Sequence, residues 1–163
     1  MSVHVSDERD ADAGAPVDLD RLTALATHVC ARERVPEAMR LAVLCVDEAT
    51  MRELNAAHMG ESGPTDVLAF PIDDPGDVHE GVPALLGDVV LCPAVARRQA
   101  AAAGHTLAAE LDLLLVHGVL HLLGHDHAEA AERARMQART SALLTEFVTQ
   151  QGGGPIASGG LAE

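Results

Sequence analysis

The sequence predicts an α+β fold: a single domain in which a small mixed β-sheet of about four strands packs with about five helices. Three observations lead there. A chain of 163 residues with 48% apolar content suits one globular domain with a real core. Short runs with strand patterning, punctuated by Gly and Pro, alternate with longer runs at helical spacing. One stretch, about Leu107 to Leu123, is apolar nearly all round and belongs at the centre of the domain rather than on its surface.

Taken in order, Ser2 to Asp7 alternates as a first strand and Asp10 to Pro16 is a polar turn. Leu19, Leu22, Leu25 and Val29 recur at helical spacing within Asp18 to Arg34, and Pro36 closes the segment. Met39 to Val46 reads as a buried strand, followed by a helix from about Glu48 to Met59. Thr65 to Phe70 is a strand preceded by the Gly63-Pro64 turn and ended by Pro71, and Gly87 to Cys92 is a further strand. Asp73 to Glu80, between them, is an acidic solvated loop from which His79 could reach a nearby cleft. Pro93 opens a helix at its favoured first position and Ala94 to Ala103 extends it. Beyond the central helix, Glu129 to Gln150 forms a last one. Residues 1–150 thus make up the domain, and Gly152-Gly153-Gly154-Pro155 begins a tail, 151–163, expected to be disordered.

The chemistry concentrates in His117-Gly118-Val119-Leu120-His121-Leu122-Leu123-Gly124-His125-Asp126-His127. At 3.6 residues per turn, His117 and His121 share one helical face with Cβ atoms roughly 6 Å apart, which suits two imidazoles closing on one ion. Gly124 falls where a helix commonly ends in a left-handed cap, so the chain can turn and bring His127 back toward them. Three histidines leave a fourth tetrahedral position for water, the arrangement of a catalytic rather than a structural zinc site. The competing reading, core histidines bonded to backbone, accounts for the pair but not for the terminating Gly and a third His within reach.

The same spacing occurs in the metzincin protease signature, where the second position is a Glu acting as general base. Here it is Gly118, which carries no proton acceptor, so a conventional zinc protease is disfavoured; restoring a Glu there is the change expected to bring weak proteolysis. Glu110 lies seven residues before His117, roughly 10 Å away along the helix, too far for direct base chemistry. It either supports the fold or a ligand from behind or, more simply, is a solvated or capped Glu near the helix start.

The run His117 to His127 resembles the His-Gly-x-Leu-His-Leu-x-Gly-x-Asp-His signature of the YbeY proteins, bacterial endoribonucleases of ribosomal RNA maturation. Segments in the same order support it: Val46-Asp47-Glu48, Leu54-Asn55, Pro64-Thr65-Asp66-Val67-Leu68-Ala69-Phe70-Pro71 and Leu86-Gly87-Asp88-Val89-Val90-Leu91-Cys92. The resemblance spans residues 2 to about 150. It implies His117, His121 and His127 as ligands of one zinc ion per chain, with catalysis running through the bound metal. It also implies single-strand-specific RNA hydrolysis in 16S rRNA 3′-end maturation and ribosome quality control. The implied partners are ribosomal RNA and the 30S subunit or its precursors, with ribosome-associated proteins left open.

Two positions depart from the pattern. Six residues before Thr65, where many relatives carry an Arg considered functional, this chain has Met59, so a phosphate contact expected there is missing or supplied from elsewhere. His125 occupies a position often held by Tyr and competes with His127 as a ligand.

Composition bounds the partners. With two Phe and no Trp or Tyr the core must be aliphatic and Ala-rich, and base stacking on aromatic platforms is not available. The formal charge of −14 repels nucleic acid at long range and argues against a nonspecific RNA binder. Phosphate contacts depend on local clustering, however, and all positive side chains are Arg. Arg97 and Arg98 form one cluster and Arg133, Arg135 and Arg139 another, each also readable as a solvated helix face. Cys30, Cys45 and Cys92 are widely spaced and read as buried thiols rather than a disulfide framework. The first ten residues have neither a basic start nor an apolar run, and Leu111 to Gly124 is broken by Asp112, His117 and His121, so a cytoplasmic protein without a membrane span is expected.

The expected mechanism uses three neutral imidazoles to hold zinc, which activates water and stabilises charge on a phosphoryl oxygen. Asp126 could orient a ligand imidazole or serve only as a turn residue; Thr65 and Asp66 could line the cleft or simply start a strand. Two other classes stay open: a metal-dependent hydrolase of a small or peptidic substrate, and a ribosome assembly factor whose zinc is largely structural.

Overall fold

The structure is a computed structural model and describes residues 1–10, 14–125 and 128–151. Four strands, β1 (Ser2–Asp7), β2 (Met39–Cys45), β3 (Val67–Pro71) and β4 (Ala84–Leu91), form one sheet in the order β1-β2-β4-β3. The first three positions in that order are parallel and β3 is antiparallel to β4, giving the mixed α+β sheet expected. Five helices accompany it: α1 (Leu19–Arg32), α2 (Glu48–Met59), α3 (Pro93–Ala103), α4 (Leu107–Leu122) and α5 (Ala130–Gln150).

Local chemistry sets the boundaries. Asp18, Asp47 and Thr106 each cap a helix by accepting from the backbone N–H three residues on, at 3.0, 2.9 and 3.1 Å. Pro93 stands in the first turn of α3, and Gly60 and Gly104 take left-handed conformations after α2 and α3. On α1, Leu22, Leu25, Ala26 and Val29 are buried at helical spacing, while along β2 burial alternates through Met39, Leu41, Val43 and Cys45.

β3 and β4 differ most from the sequence expectation, while β2 ends one residue early. β3 begins at Val67 rather than Thr65 and includes Pro71, which an edge strand tolerates because its missing N–H faces away from the ladder. β4 begins at Ala84, three residues before Gly87, so Gly87 is not a strand start. It follows a register shift opposite Arg40 and Leu41, with φ of 151°. A Cβ on Gly87 would lie 2.4 Å from the Phe70 carbonyl oxygen, so the close approach of β3 requires glycine.

The main core lies between one sheet face and α1, α4 and α5, and is aliphatic apart from Phe147. A smaller cluster around Met51, Leu68, Val90 and Val95 lies on the other face. α4 contacts α1, α3, α5, β3 and β4, which makes it the central element, as its all-round apolarity foretold. All three cysteines are buried and free; burial pushes the Cys30 thiol up to about 12 and Cys45 to about 11. Part of the Asp10 to Pro16 turn, and the tail from residue 152 onward, lie outside the described residues. Among the described residues no single helix is long and apolar enough to cross a membrane.

Candidate active site

Along α4 nearly every side chain from Glu110 to Leu122 is buried, and only Leu113, His117 and His121, spaced by four, remain half-buried. Beyond the partly exposed first turn, that stripe is the partly uncovered face of the helix. His117 and His121 both line a cleft of about 660 Å³ between α4, β3 and α5. β3 and the residues before it contribute Thr65, Asp66 and Val67; α5 contributes Arg133, Met136 and Gln137; Met59 stands at the rim, 57% exposed.

Beyond His121 the helix ends as its sequence implied. Gly124 adopts φ of 95°, its N–H donates to the His121 carbonyl at 3.0 Å, and the His125 N–H donates to the Leu120 carbonyl at 3.0 Å. These two bonds close a Schellman cap and reverse the chain. His125 then lies with Nε2 3.8 Å from the Glu33 carboxylate and lines a different cavity, with Glu33, Asp73 and Asp74. Asp126 and His127 lie outside the described residues.

Two imidazoles on one face of a rigid, buried helix, sharing a cleft, are a donor set suited to a divalent metal such as zinc. Among the described residues no third His, Cys, Asp or Glu completes a metal-holding group with them.

Gly118 has a structural reason that its sequence position did not disclose. A Cβ there would lie 2.6 Å from Val89 Cγ1, 3.1 Å from Val89 Cγ2 and 3.5 Å from Val67 Cγ2. α4 thus crosses the sheet closely at Gly118, and a side chain there collides with Val89 on β4. A Glu at this position would meet Val89 before it could reach a base's place beside substrate, which speaks against the expectation that it would bring weak proteolysis.

For Glu110 the fold-supporting alternative holds and the solvated one does not. It is 7% exposed, not solvated, and its carboxylate bonds to His105 Nε2. With its amide nitrogen turned toward the two carboxylates, Gln99 donates to Glu110 Oε2 at 3.0 Å and to Asp66 Oδ2 at 3.1 Å. The other Asp66 oxygen accepts from the Val67 N–H at 2.8 Å and faces the Thr65 hydroxyl at 3.3 Å. Asp66 therefore both leads into β3, accepting from the Val67 N–H, and lines the cleft, and Gln99 clamps it to the first turn of α4. Asn55, 4% exposed, steadies the approach from α2 by donating to the Gly63 carbonyl at 2.9 Å. No local pattern pointed to Gln99, because its two partners are brought together only by packing.

The arginine clusters divide. Arg97 and Arg98 line a separate hollow of about 230 Å³ with Arg9, and Arg98 is paired with Glu48. Arg139 pairs with Glu33 at 2.7 Å, whereas Arg133 faces the cleft. Asp112, 2% exposed, is tied to Arg21 at 2.7 Å and anchors α1 to α4. Burial raises its pKa, and Arg21 opposes the rise. In the acidic loop, Asp74 caps a 3₁₀ turn (Pro75–Asp77), Asp73 accepts from the Leu85 N–H at 2.8 Å, and exposed His79 is not among the cleft-lining residues.

Comparison with known proteins follows the same outline. The family model described as Endoribonuclease YbeY matches residues 7–148. A protein named Endoribonuclease YbeY from Salinispora tropica is 49% identical over 156 residues, covering 90% of this chain and 96% of the relative. One of the same name from Thermobifida fusca is 47% identical, covering 88% and 92%. The solution structure of TM1509 from Thermotoga maritima superposes with a TM-score of 0.63 at 25% identity, covering 94% of this chain and 93% of that one. With a family model spanning nearly the whole described domain and curated relatives near half identity, the chain belongs to the endoribonuclease YbeY family.

Proposed function

We propose that this chain is a zinc-dependent, single-strand-specific endoribonuclease acting in 16S rRNA 3′-end maturation and ribosome quality control. Its activity resides in residues 1–150 and it works in the cytoplasm on ribosomal RNA within the 30S subunit or its precursors. The observation that carries the reading is the pair His117 and His121, opening from one face of α4 into a single cleft in a chain of this family. The two imidazoles hold one zinc ion per chain, and His127 supplies the third donor after the reversal at Gly124. When bound, zinc supplies Lewis-acid activation of water and of a phosphoryl oxygen near neutral pH. Asp66, immobilised by Gln99 and the Val67 N–H, sets the opposite wall and positions substrate rather than binding metal. Because Gly118 lies against Val89, no carboxylate base stands at the position a zinc protease uses, which supports phosphodiester over peptide hydrolysis.

The test is cleavage of single-stranded ribosomal RNA, free and within 30S particles, by wild type and His121→Ala, with zinc measured by elemental analysis and casein as a counter-substrate. Wild type is expected to hold close to one zinc and to cut unpaired RNA but not casein; His121→Ala is expected to lose both metal and cleavage. Depletion in the source cell should leave unprocessed 16S 3′ ends that wild type, but not His121→Ala, corrects. Chelator-sensitive casein cleavage without RNA cleavage would transfer the site to a peptidic substrate.

A further inference from the structure

We propose that Arg133 is the phosphate-contacting residue of the cleft, its guanidinium binding a phosphodiester of single-stranded RNA on the side opposite β3. The inference rests on the ribonuclease reading above. Arg133, Met136 and Gln137, at i, i+3 and i+4, share one face of α5, and all three line the cavity that holds His117 and His121. Among the described residues Arg133 is the sole cationic side chain lining that cavity.

Its guanidinium is not taken up by an ion pair among the described residues. Six of the eleven basic side chains, those of Arg9, Arg21, Arg32, Arg52, Arg98 and Arg139, are committed to ion pairs, while Arg133 makes none among the described residues. An exposed guanidinium without a carboxylate partner among the described residues, in a chain of net charge −14, is available for an anion from outside. A planar fork matches two phosphate oxygens, and the contact would offset the repulsion from Asp66 across the cleft.

Among the described residues the cleft offers no aromatic platform for stacking. Phe147 packs against His28 and Phe70 against His58, so neither ring lies ready to stack on a base in the cleft. Met59, at the rim, is uncharged. Positive charge beside the histidines therefore depends on α5 among the described residues. Gln137, one turn beyond Arg133, adds an amide that can bond to a base edge or a sugar hydroxyl.

The test uses the full-length, zinc-loaded protein with a labelled single-stranded RNA oligomer, measuring binding by fluorescence anisotropy across a salt series alongside cleavage kinetics. Arg133→Ala is expected to weaken binding and raise KM about tenfold, with kcat little changed. The slope of log K against log salt should become shallower by about 0.7, the value for one phosphate of a single strand no longer neutralised. Arg135→Ala, on the same helix but not lining the cleft, should match wild type. Adding Met59→Arg to Arg133→Ala should recover most of the affinity by returning a cation to the same cavity. Unchanged binding and slope in Arg133→Ala, or an equal weakening in Arg135→Ala, would overturn the assignment. If wild type binds RNA through Arg133 without cleaving it, the phosphate contact stands and the ribonuclease reading falls. If wild type binds no single-stranded RNA, the phosphate contact falls as well.

Discussion

Gly118→Ala tests whether α4 is seated on the sheet as closely as the geometry requires. The added methyl would stand 2.6 Å from Val89 Cγ1, about 1 Å inside ordinary carbon–carbon contact. Val89 has little room to retreat, because it is fully buried and its strand is paired on both sides, opposite Val43 and Ala69. Overpacking of this kind costs about 1–3 kcal/mol, while replacing a helical Gly by Ala returns about 1 kcal/mol of propensity. The net expectation is a loss of about 0–2 kcal/mol. The sharper test is a change of sign. In a Val89→Ala background both Cγ atoms are gone, so the methyl introduced by Gly118→Ala fills space instead of colliding. There the same substitution should stabilise by about 1 kcal/mol or more, giving a coupling of about 1–3 kcal/mol between the two sites. Urea unfolding of the wild type, both single variants and the double variant measures this directly. Stabilisation of the wild type by the full helix-propensity gain would refute the reasoning, since it would mean that no close contact exists at Gly118. Gly118→Glu should lose several kcal/mol or fail to fold, because it adds a buried carboxylate to the same collision.

Two further expectations concern the end of α4 and its anchoring. His127→Ala should release zinc at least roughly tenfold more readily than His125→Ala in a chelator competition, because His125 is engaged near Glu33 in another cavity; a larger loss for His125→Ala would reverse the ligand assignment. Arg21→Met should destabilise the domain by about 2 kcal/mol near neutral pH, discounted because Arg21 is itself 37% exposed while Asp112 is enclosed. Without Arg21 the already raised Asp112 pKa rises further, so the folded state binds that proton more tightly than the unfolded state does. The deficit should therefore grow as the pH rises above the ordinary carboxylate range and level off once Asp112 ionises in the folded state, and a pH-independent deficit in urea melts would exclude an effect through Asp112.

What the sequence determined by itself is what local physics encodes. Helical spacing put His117 and His121 on one face whatever surrounds them, Gly124 marked the reversal through its left-handed conformation, and the caps at Asp18, Asp47 and Thr106 set helix starts. An apolar surface all round α4 was enough to place it at the centre. Tertiary structure alone decided the rest. Gly118 read as a missing base until Val89, on a strand distant in sequence, was found filling the space its side chain would need. Glu110 read as solvated because nothing local indicates that His105 and Gln99 enclose it. Five clustered arginines were equivalent in sequence, yet helix phase on α5 and the placement of β3 turn only Arg133 into the cleft. Periodicity and capping act over a few residues and survive in the linear order, whereas which faces meet depends on how closely the helices and the sheet can approach, and at Gly118 that distance is set by the absence of a side chain.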